Sequence, residues 1–250
     1  MKKSAKALFT LLIVLILFVG IVIGFAVLVK NRIISINQLV ISPQETIGVD
    51  ISSYQGNVDY EKLANSNIKF AYIKATEGSS HVDEQFYRNW EKIKQTAILP
   101  GAYHFFSFES SGAEQAKNYI RTVGSLDGAL IPAIDLEYHG DSKDNPPSVE
   151  YVTTELGAFI QAIEDHYQVK PIIYMDKGIY DKYIQGNFDD YPRWIRNIYY
   201  PVNLEFQDSW AIWQYTDHGD LKAHDGTEKY IDLNVLSSNI TLENLTVKHF

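Results

Sequence analysis

Cysteine is absent from the 250-residue sequence. This absence excludes disulfide bonds, thiolate metal sites, cysteine nucleophiles and lipidation of an N-terminal cysteine. The seven histidines show no His-Glu-x-x-His or similar spacing, so neither a metal site nor another cofactor is expected. A cysteine-free chain, if it is exported, is more typical of bacteria than of secreted eukaryotic domains.

Acidic residues are also absent from the first 44 positions, which carry five cations. The remaining positions hold the other 17 of the 22 Lys and Arg against all 31 Asp and Glu, a net charge of −14. Nucleic-acid binding needs a basic surface that displaces counterions, so no nucleic acid is expected as a partner. A neutral or mixed-charge sugar polymer is compatible with this charge.

An apolar run of 22 residues without any charge extends from Leu8 to Val29. At about 1.5 Å per residue, a helix of this length spans roughly 30 Å, the thickness of a bilayer core. The apolar part of a signal peptide is normally about 7–15 residues, so we predict a transmembrane helix at 8–29. Cleavage after the small-x-small pattern Gly24-Phe25-Ala26 is the alternative. The positive-inside bias favours a cytoplasmic tail at 1–7 and an extracellular catalytic domain on a single-pass protein of the cell membrane.

Apolar runs alternate with amphipathic segments beyond a stalk that is predicted at residues 30–45. Strands are predicted at 47–51, 70–75, 99–106, 130–136, 170–175, 194–198, 210–215 and 230–233. Helices are predicted at 58–66, 83–96, 111–124, 148–167 and 177–185. This regular alternation predicts one parallel α/β domain over 46–240, a TIM-like barrel, followed by a C-terminal tail at 241–250. Helix signals stop after residue 185, so loops are expected to join the last strands.

Four carboxylates lie in predicted strands near the end where barrel enzymes carry their catalytic groups: Asp50, Asp135, Glu137 and Asp232. Asp135 and Glu137 are two residues apart, so both project from one face of their strand. Two like charges in a confined space raise one pKa, and glycoside hydrolysis needs one protonated and one ionised carboxyl. Asp50 and Asp232 are expected side by side, because the first and last strands of a closed barrel are neighbours. Helix capping, ion pairing or a divalent metal are the alternatives for these acids.

Several short sequence motifs follow one another along residues 46–240. They are Gly48-Val49-Asp50-Ile51-Ser52, Gln55-Gly56, Asp59-Tyr60, Phe70-Ala71-Tyr72-Ile73-Lys74-Ala75-Thr76-Glu77-Gly78, Gly101-Ala102-Tyr103-His104-Phe105-Phe106, Glu114-Gln115-Ala116, Asp135-Leu136-Glu137, Ile172-Ile173-Tyr174, Trp213-Gln214-Tyr215 and Asp232-Leu233-Asn234. In this order and spacing they resemble the family 25 glycoside hydrolases, the Chalaropsis-type lysozymes. The resemblance implies a (β/α)5β3 barrel that hydrolyses the β-1,4 bond from N-acetylmuramic acid to N-acetylglucosamine in peptidoglycan.

The same resemblance implies roles for the acids. Glu137 is the expected general acid and Asp135 its ionised neighbour, while Asp50 and Asp232 tune pKa values or position a water or the acetamido group. Inversion and acetamido-assisted retention both stay open. Arg196 departs from the family pattern, which usually has a small residue there, and this leaves the contribution of the sixth strand open.

Substrate contacts are predicted for side chains near strand ends: Tyr54, Gln55, Lys74, Tyr103, Tyr174, Trp213 and Tyr215. Aromatic faces can stack on sugar rings while their polar tips bond hydroxyls. The ammonium of Lys74 is expected to pair with a cleft carboxylate and keep it ionised. Packing in the core is the alternative for each aromatic ring.

The sequence therefore predicts a membrane-anchored peptidoglycan muramidase that acts on nearby wall. A catalytically inactive glycan-binding module is one alternative. Another barrel glycosidase such as a chitinase is the second, although the upstream acids of the chitinase signature Asp-x-x-Asp-x-Asp-x-Glu are missing here. The expected partners are peptidoglycan strands and the membrane, which 8–29 would cross, and topology alone suggests a wall-spanning secretion or conjugation apparatus.

Overall fold

The computed structural model describes residues 2–207 and 209–248, with side chains from residue 6 onward. The first residue of the predicted tail 1–7 and the last two of the tail 241–250 lie outside the described residues. Within the described ranges, strands form a single nine-stranded sheet. They are β1 (Ile47–Ile51), β2 (Ile68–Glu77), β3 (His81–Val82), β4 (Leu99–Phe105), β5 (Ala133–Asp135), β6 (Ile172–Met175), β7 (Arg193–Arg196), β8 (Ile212–Gly219) and β9 (Ile231–Leu236).

Eight of these strands close into a barrel, because β1 pairs with both β9 and β2. Neighbouring barrel strands are parallel except at β9, which runs antiparallel to β8 and to β1. The ninth strand, β3, pairs only with β2 in a short hairpin. The predicted strands correspond to the eight barrel strands. The sequence missed β3, because two residues are too short to show a period.

One helix precedes the first strand, and five others follow strands in the order that the alternation predicted. The expectation that loops alone join the last strands was wrong, because a one-turn helix lies between β7 and β8. The helices are α1 (Lys2–Lys30), α2 (Tyr60–Asn65), α3 (Phe86–Ile93), α4 (Gly112–Val123), α5 (Val149–Tyr167), α6 (Lys177–Ile179) and α7 (Asn203–Phe206), and a π-helical turn (Tyr180–Ile184) extends α6. Four of them, α2, α4, α5 and α6, begin behind an Asp or Ser whose side chain accepts a backbone N–H from the first turn. Five strand–helix units followed by β7, β8 and β9 confirm the (β/α)5β3 barrel.

Large aromatic rings fill the interior of the barrel between the strands. The Tyr72 and Trp194 ring centroids are 4.9 Å apart, and the Tyr72 hydroxyl donates to the Ile131 carbonyl oxygen at 3.1 Å. Gly101 makes room for this packing, because a Cβ at that position would lie 2.6 Å from the Tyr72 ring. Polar side chains of the inward faces are thereby concentrated at one end of the barrel.

The helix α1 contains one stretch, Lys6–Lys30, that is long and apolar enough to cross a membrane, and its side chains are not buried against the rest of the protein. Its length, its composition and its place near the N-terminus fit either a membrane anchor or a signal sequence.

Residues 31–46, which include most of the predicted stalk, pack against the barrel. Asn37 is fully buried, and its Nδ2 donates to the backbone oxygens of Asn197 at 2.8 Å and Tyr215 at 2.9 Å. The sequence predicted a stalk here, and the structure packs part of this segment against the barrel. Its docking depends on single polar side chains, which leave no periodic signal in the sequence.

Residues 241–248 of the predicted C-terminal tail are also part of the folded domain. Leu245 and Val247 are buried. Backbone hydrogen bonds join Val247 to Ala129 and Leu245 to Ile131, each at 2.8 Å. The folded domain therefore continues past residue 240, and this segment covers the approach to β5.

Candidate active site

A cavity of about 640 Å³ opens at the carboxyl ends of the parallel barrel strands. The four predicted carboxylates line it: Asp50, Asp135, Glu137 and Asp232. Asp232 belongs to the amino end of its strand. Because β9 is antiparallel to its neighbours, that end lies beside their carboxyl ends, and the register places Asp232 opposite Asp50.

Two amide side chains hold Asp50 and Asp232 together. Gln214 Nε2 donates to Oδ2 of both acids at 3.1 Å, and Asn234 Nδ2 donates to Asp50 Oδ2 at 2.7 Å. Burial raises the pKa of both carboxyls, and the adjacent Asp50 raises that of Asp232 further. The amide donors oppose the rise at Asp50, so the pKa rise is larger at Asp232.

The orientation of these amides is fixed by two other side chains. The Trp194 indole donates to Asn234 Oδ1 at 2.8 Å, and the Tyr174 hydroxyl donates to Gln214 Oε1 at 3.0 Å. An indole N–H can only donate, so the Asn234 amide must turn its NH2 group toward Asp50. No role was predicted from the sequence for Trp194, Gln214 or Asn234. Asn234 could have been found from the sequence, because it lies two residues after Asp232 on the same strand and therefore projects from the same face.

Asp135 and Glu137 form the other acidic pair. Asp135 is the last residue of β5, and both side chains face the cavity, while the intervening Leu136 is fully buried. Asp135 Oδ1 is buried and has no hydrogen-bond partner among the described residues. Burial and the charge of Glu137 raise the pKa of Asp135 well above its usual value, and only the Lys74 ammonium among its larger influences opposes this.

Burial also raises the pKa of Glu137, with smaller contributions from nearby carboxylates, although the charge of Arg196 opposes the rise. The sequence predicted a protonated Glu137 beside an ionised Asp135. In the structure the pKa of both carboxyls is raised, and the rise is larger at Asp135, whose Oδ1 is buried without a hydrogen-bond partner among the described residues. The raised pKa values favour a proton retained by the pair.

Two cations modulate the acids. Lys74 lines the cavity, and its Nζ lies 2.7 Å from Glu77 Oε2. Although burial opposes it, this contact lowers the pKa of Glu77. Lys74 thus pairs with Glu77 and not with one of the four predicted acids. Arg196 also lines the cavity, with Nη2 3.3 Å from Asp217 Oδ2, so the sixth barrel strand contributes a cation to the cleft.

Four of the predicted substrate-binding side chains line the same cavity in addition to Lys74: Tyr54, Gln55, Tyr103 and Tyr174. Tyr54 is 61% exposed, so its ring is available at the mouth. Gln55 accepts the backbone N–H of Ser52 at 2.9 Å and closes the turn that carries Tyr54. Further lining residues that the sequence did not predict include Phe105, His218 and Tyr230.

Trp213 and Tyr215 do not line this cavity, and their prediction as substrate contacts is corrected. Side chains alternate along a strand, and Gln214 between them points to the acids. Both rings therefore face outward and are buried. The Trp213 indole donates to the Asn197 carbonyl oxygen at 2.8 Å, and its ring lies 5.9 Å from that of Tyr215.

Known proteins resemble this chain over most of its length. The family described as Glycosyl hydrolases family 25 matches residues 49–224, a range that includes Asp50, Asp135 and Glu137. The structure of a family 25 glycosyl hydrolase from Bacillus anthracis is similar, with 45% identity and a TM-score of 0.74, over 80% of this chain and 92% of that chain. An N,O-diacetylmuramidase from Chalaropsis sp is 29% identical over 203 residues, which are 74% of this chain and 93% of that protein. Lysozyme M1 from Streptomyces globisporus is 28% identical over 198 residues, 72% of this chain and 65% of that protein.

Proposed function

We propose, from the premise that this chain belongs to the glycosyl hydrolases of family 25, that it is a peptidoglycan muramidase at the outer face of the cell membrane. The bond that it cleaves is the β-1,4 bond between N-acetylmuramic acid and N-acetylglucosamine. The observation that carries the proposal is the pair Asp135 and Glu137, two half-buried carboxyls that face one cavity. Their raised pKa values favour a retained proton, which acid-catalysed glycoside hydrolysis requires.

Glu137 is the general acid in this proposal. It lies beyond the end of β5 and is less deeply buried than Asp135, so its carboxyl is better placed to reach a bond between two sugars. It donates the proton of the pair to the leaving oxygen. Asp135 is ionised at that stage and stabilises the positive charge that develops on the sugar ring.

Asp50 is the second ionised carboxylate of the cleft. The amides of Gln214 and Asn234 stabilise its charge, and the raised pKa of Asp232 favours a neutral carboxyl beside it. Asp50 either activates a water molecule or orients the acetamido group of the substrate. The anomeric configuration of the first product, read by NMR, separates inversion from acetamido-assisted retention.

The remaining cavity residues hold the glycan. The exposed ring of Tyr54 stacks on a sugar at the mouth, while Tyr103 and Tyr174 form the wall beside the acids. Gln55 fixes the position of Tyr54, and Lys74, whose ammonium lines the cavity beside Glu77, bonds sugar hydroxyls.

Membrane anchoring forms the second part of the proposal. The stretch Lys6–Lys30 is long enough to cross a bilayer, and no part of the described protein covers it. We favour an anchor over a cleaved signal sequence, because the apolar run is longer than a signal peptide normally has. A wall-spanning secretion or conjugation apparatus as a partner stays a prediction.

The test is release of reducing ends from purified peptidoglycan by the detergent-solubilised full chain, with mass spectrometry of the fragments. We expect fragments that end in reducing N-acetylmuramic acid. Glu137→Gln should lower the rate about 10²–10⁴-fold, because general acid catalysis contributes roughly that much, and should still bind the wall.

Three results would contradict the proposal in different ways. Wall binding without any cleavage by the wild-type chain would indicate a glycan-binding module. Cleavage of chitin in preference to peptidoglycan would indicate another barrel glycosidase. Undiminished cleavage by Glu137→Gln would show that the acid is misassigned.

A further inference from the structure

The chain leaves the C-terminal end of α1 through a hydrogen-bonded turn at residues 28–33. The backbone N–H of Ile33 bonds the Leu28 carbonyl oxygen at 2.9 Å, and that of Arg32 bonds the Val29 carbonyl oxygen at 3.0 Å. These two bonds and the left-handed φ of 60° at Arg32 form a Schellman turn. A glycine is the usual residue at this position, so the Arg32 side chain has to compensate for a strained backbone.

The Arg32 side chain attaches this turn to the barrel. Its guanidinium donates to the Ile198 carbonyl oxygen and to Asp217 Oδ2, each at 3.1 Å, and lies 4.2 Å from the centre of the Tyr199 ring. Asp217 also accepts a hydrogen bond from Arg196 inside the catalytic cavity. The end of the apolar helix is therefore connected to the cleft through one shared carboxylate.

The distance from the apolar run to the barrel is short. The turn brings the Arg32 backbone nitrogen to 3.0 Å from the Val29 carbonyl oxygen. An arginine side chain reaches about 6–7 Å, and its guanidinium lies 4.2 Å from the centre of the Tyr199 ring, so Tyr199 lies within roughly 15 Å of the last apolar residue of α1. A headgroup layer is roughly 5–8 Å thick, so this part of the barrel meets the bilayer surface when α1 spans the bilayer.

Apolar side chains are exposed around this junction. They come from the segment 31–46 and from the connection between β7 and β8, and they are Ile33, Leu39, Val40, Tyr199, Tyr200 and Leu204. The two segments are adjacent, since Val40 and Pro201 line one surface groove and Ile33 and Ile198 line another. Exposed aliphatic and aromatic groups in this setting are typical of segments that sit in a membrane interface.

We propose that these six side chains form a membrane-docking surface, which seats the barrel in the headgroup layer of the bilayer that α1 crosses. This inference rests on the proposed membrane anchor. It also positions the cleft, because His218 and Tyr230 line both the catalytic cavity and the groove beside Arg32. The mouth of the active site therefore faces a zone close to lipid, and the substrate class is glycan strand that lies next to the membrane.

The absence of cysteine makes a direct test practical. Single cysteines are introduced at Leu39, Leu204 and Leu17, labelled with an environment-sensitive fluorophore, and the full chain is reconstituted in phosphatidylethanolamine–phosphatidylglycerol vesicles that contain a lipid-attached quencher. Tyr87→Cys is the matched control, because Tyr87 is 60% exposed like Leu204 at 74% and lies on α3, which follows a strand across the barrel from β7.

We expect loss of fluorescence at Leu17, Leu39 and Leu204 and none at Tyr87. Quenching at Leu17 alone would refute the docking surface and leave the anchor intact. Absence of quenching at Leu17 would refute the anchor itself. In a second variant, Arg32→Gly keeps the turn and removes the side-chain contacts, so quenching at Leu204 should fall while quenching at Leu17 persists. Unchanged quenching at Leu204 in this variant would overturn the role of Arg32 in holding the surface at the membrane.

Discussion

The indole N–H of Trp194 and the side-chain oxygen of Asn234 are 2.8 Å apart, and this bond determines which end of the Asn234 amide faces Asp50. A residue on β7 thereby controls the charge of a carboxylate on β1 through an amide on β9. Trp194 is a positioning residue, because it acts on the cleft acids through Asn234.

Trp194→Phe should lower both stability and activity. The ring is retained, but Asn234 Oδ1 loses its donor, so the free energy of unfolding should fall by about 1–2 kcal/mol. The acidic limb of the pH–rate profile should also move to higher pH, because Asp50 acts in its ionised form and the loss of the oriented Asn234 donor raises its pKa. Urea unfolding and pH–rate profiles measure the two effects. Trp90→Phe on α3 is the matched control, and an equal change of the pH profile in that variant would contradict the positioning role.

Asp135→Asn should change how stability depends on pH. Burial raises the pKa of Asp135 in the folded protein, so the folded state holds its proton more tightly than the unfolded state. The stabilisation that this provides is complete below the unfolded pKa, near 4, and is lost as pH rises through the folded pKa. Urea unfolding from pH 4 to pH 8 should therefore show a smaller loss of stability in Asp135→Asn than in the wild type. Parallel curves for the two proteins would disprove the raised pKa.

Arg196→Gln should move the alkaline limb of the activity profile to higher pH. Glu137 must be protonated to act as the acid, and the charge of Arg196 opposes the rise of its pKa that burial causes. Removing that charge raises the pKa of Glu137, so activity should persist to higher pH by roughly one pH unit. Arg193→Gln, which removes an ion pair with Asp189 outside the cleft, should leave the profile unchanged. A limb that moves to lower pH in Arg196→Gln would contradict the assignment of the acid.

Tyr54→Ala should weaken substrate binding without loss of stability. The ring is 61% exposed at the cavity mouth, and stacking on a sugar is worth about 1 kcal/mol. We expect KM for soluble glycan fragments to rise about fivefold while kcat stays within twofold. Tyr87→Ala removes a ring of equal exposure far from the cleft, and KM should then be unchanged. A large fall in kcat for Tyr54→Ala would place the ring in the chemical step.

The sequence allowed the barrel and its four acids to be predicted because both signals are local. Strand and helix periods repeat within a few residues, and an acid at the end of an apolar strand is visible in isolation. Asp50 and Asp232 could be predicted to lie side by side, because closure of a barrel makes its first and last strands neighbours, and the structure pairs these two residues. The assignment of chemical roles depended on the family resemblance, and no local pattern would have supplied it.

The errors concern contacts between distant parts of the chain. Trp213 and Tyr215 were assigned to the wrong face of β8, because the strand predicted at 210–215 contains no acid that would mark the inward face. Gln214, a polar residue in an apolar strand, was the available signal. The docking of Asn37 depends on backbone oxygens about 160 residues away, and the electrostatic balance between Asp135 and Glu137 depends on burial that only the folded chain defines.

If α1 spans the bilayer, the packed segment 31–46 also fixes the distance between the barrel and the membrane surface. A flexible linker would let a catalytic domain reach glycan strands at many distances from the membrane. Here the hydrogen bonds of Arg32 and Asn37 hold the segment against the barrel, so the barrel stays close to the end of α1. With α1 in the bilayer, the distance between membrane and wall determines whether a glycan strand can reach the cleft. Turgor, which presses the membrane against the wall, would then regulate cutting without any ligand, and plasmolysis would stop it.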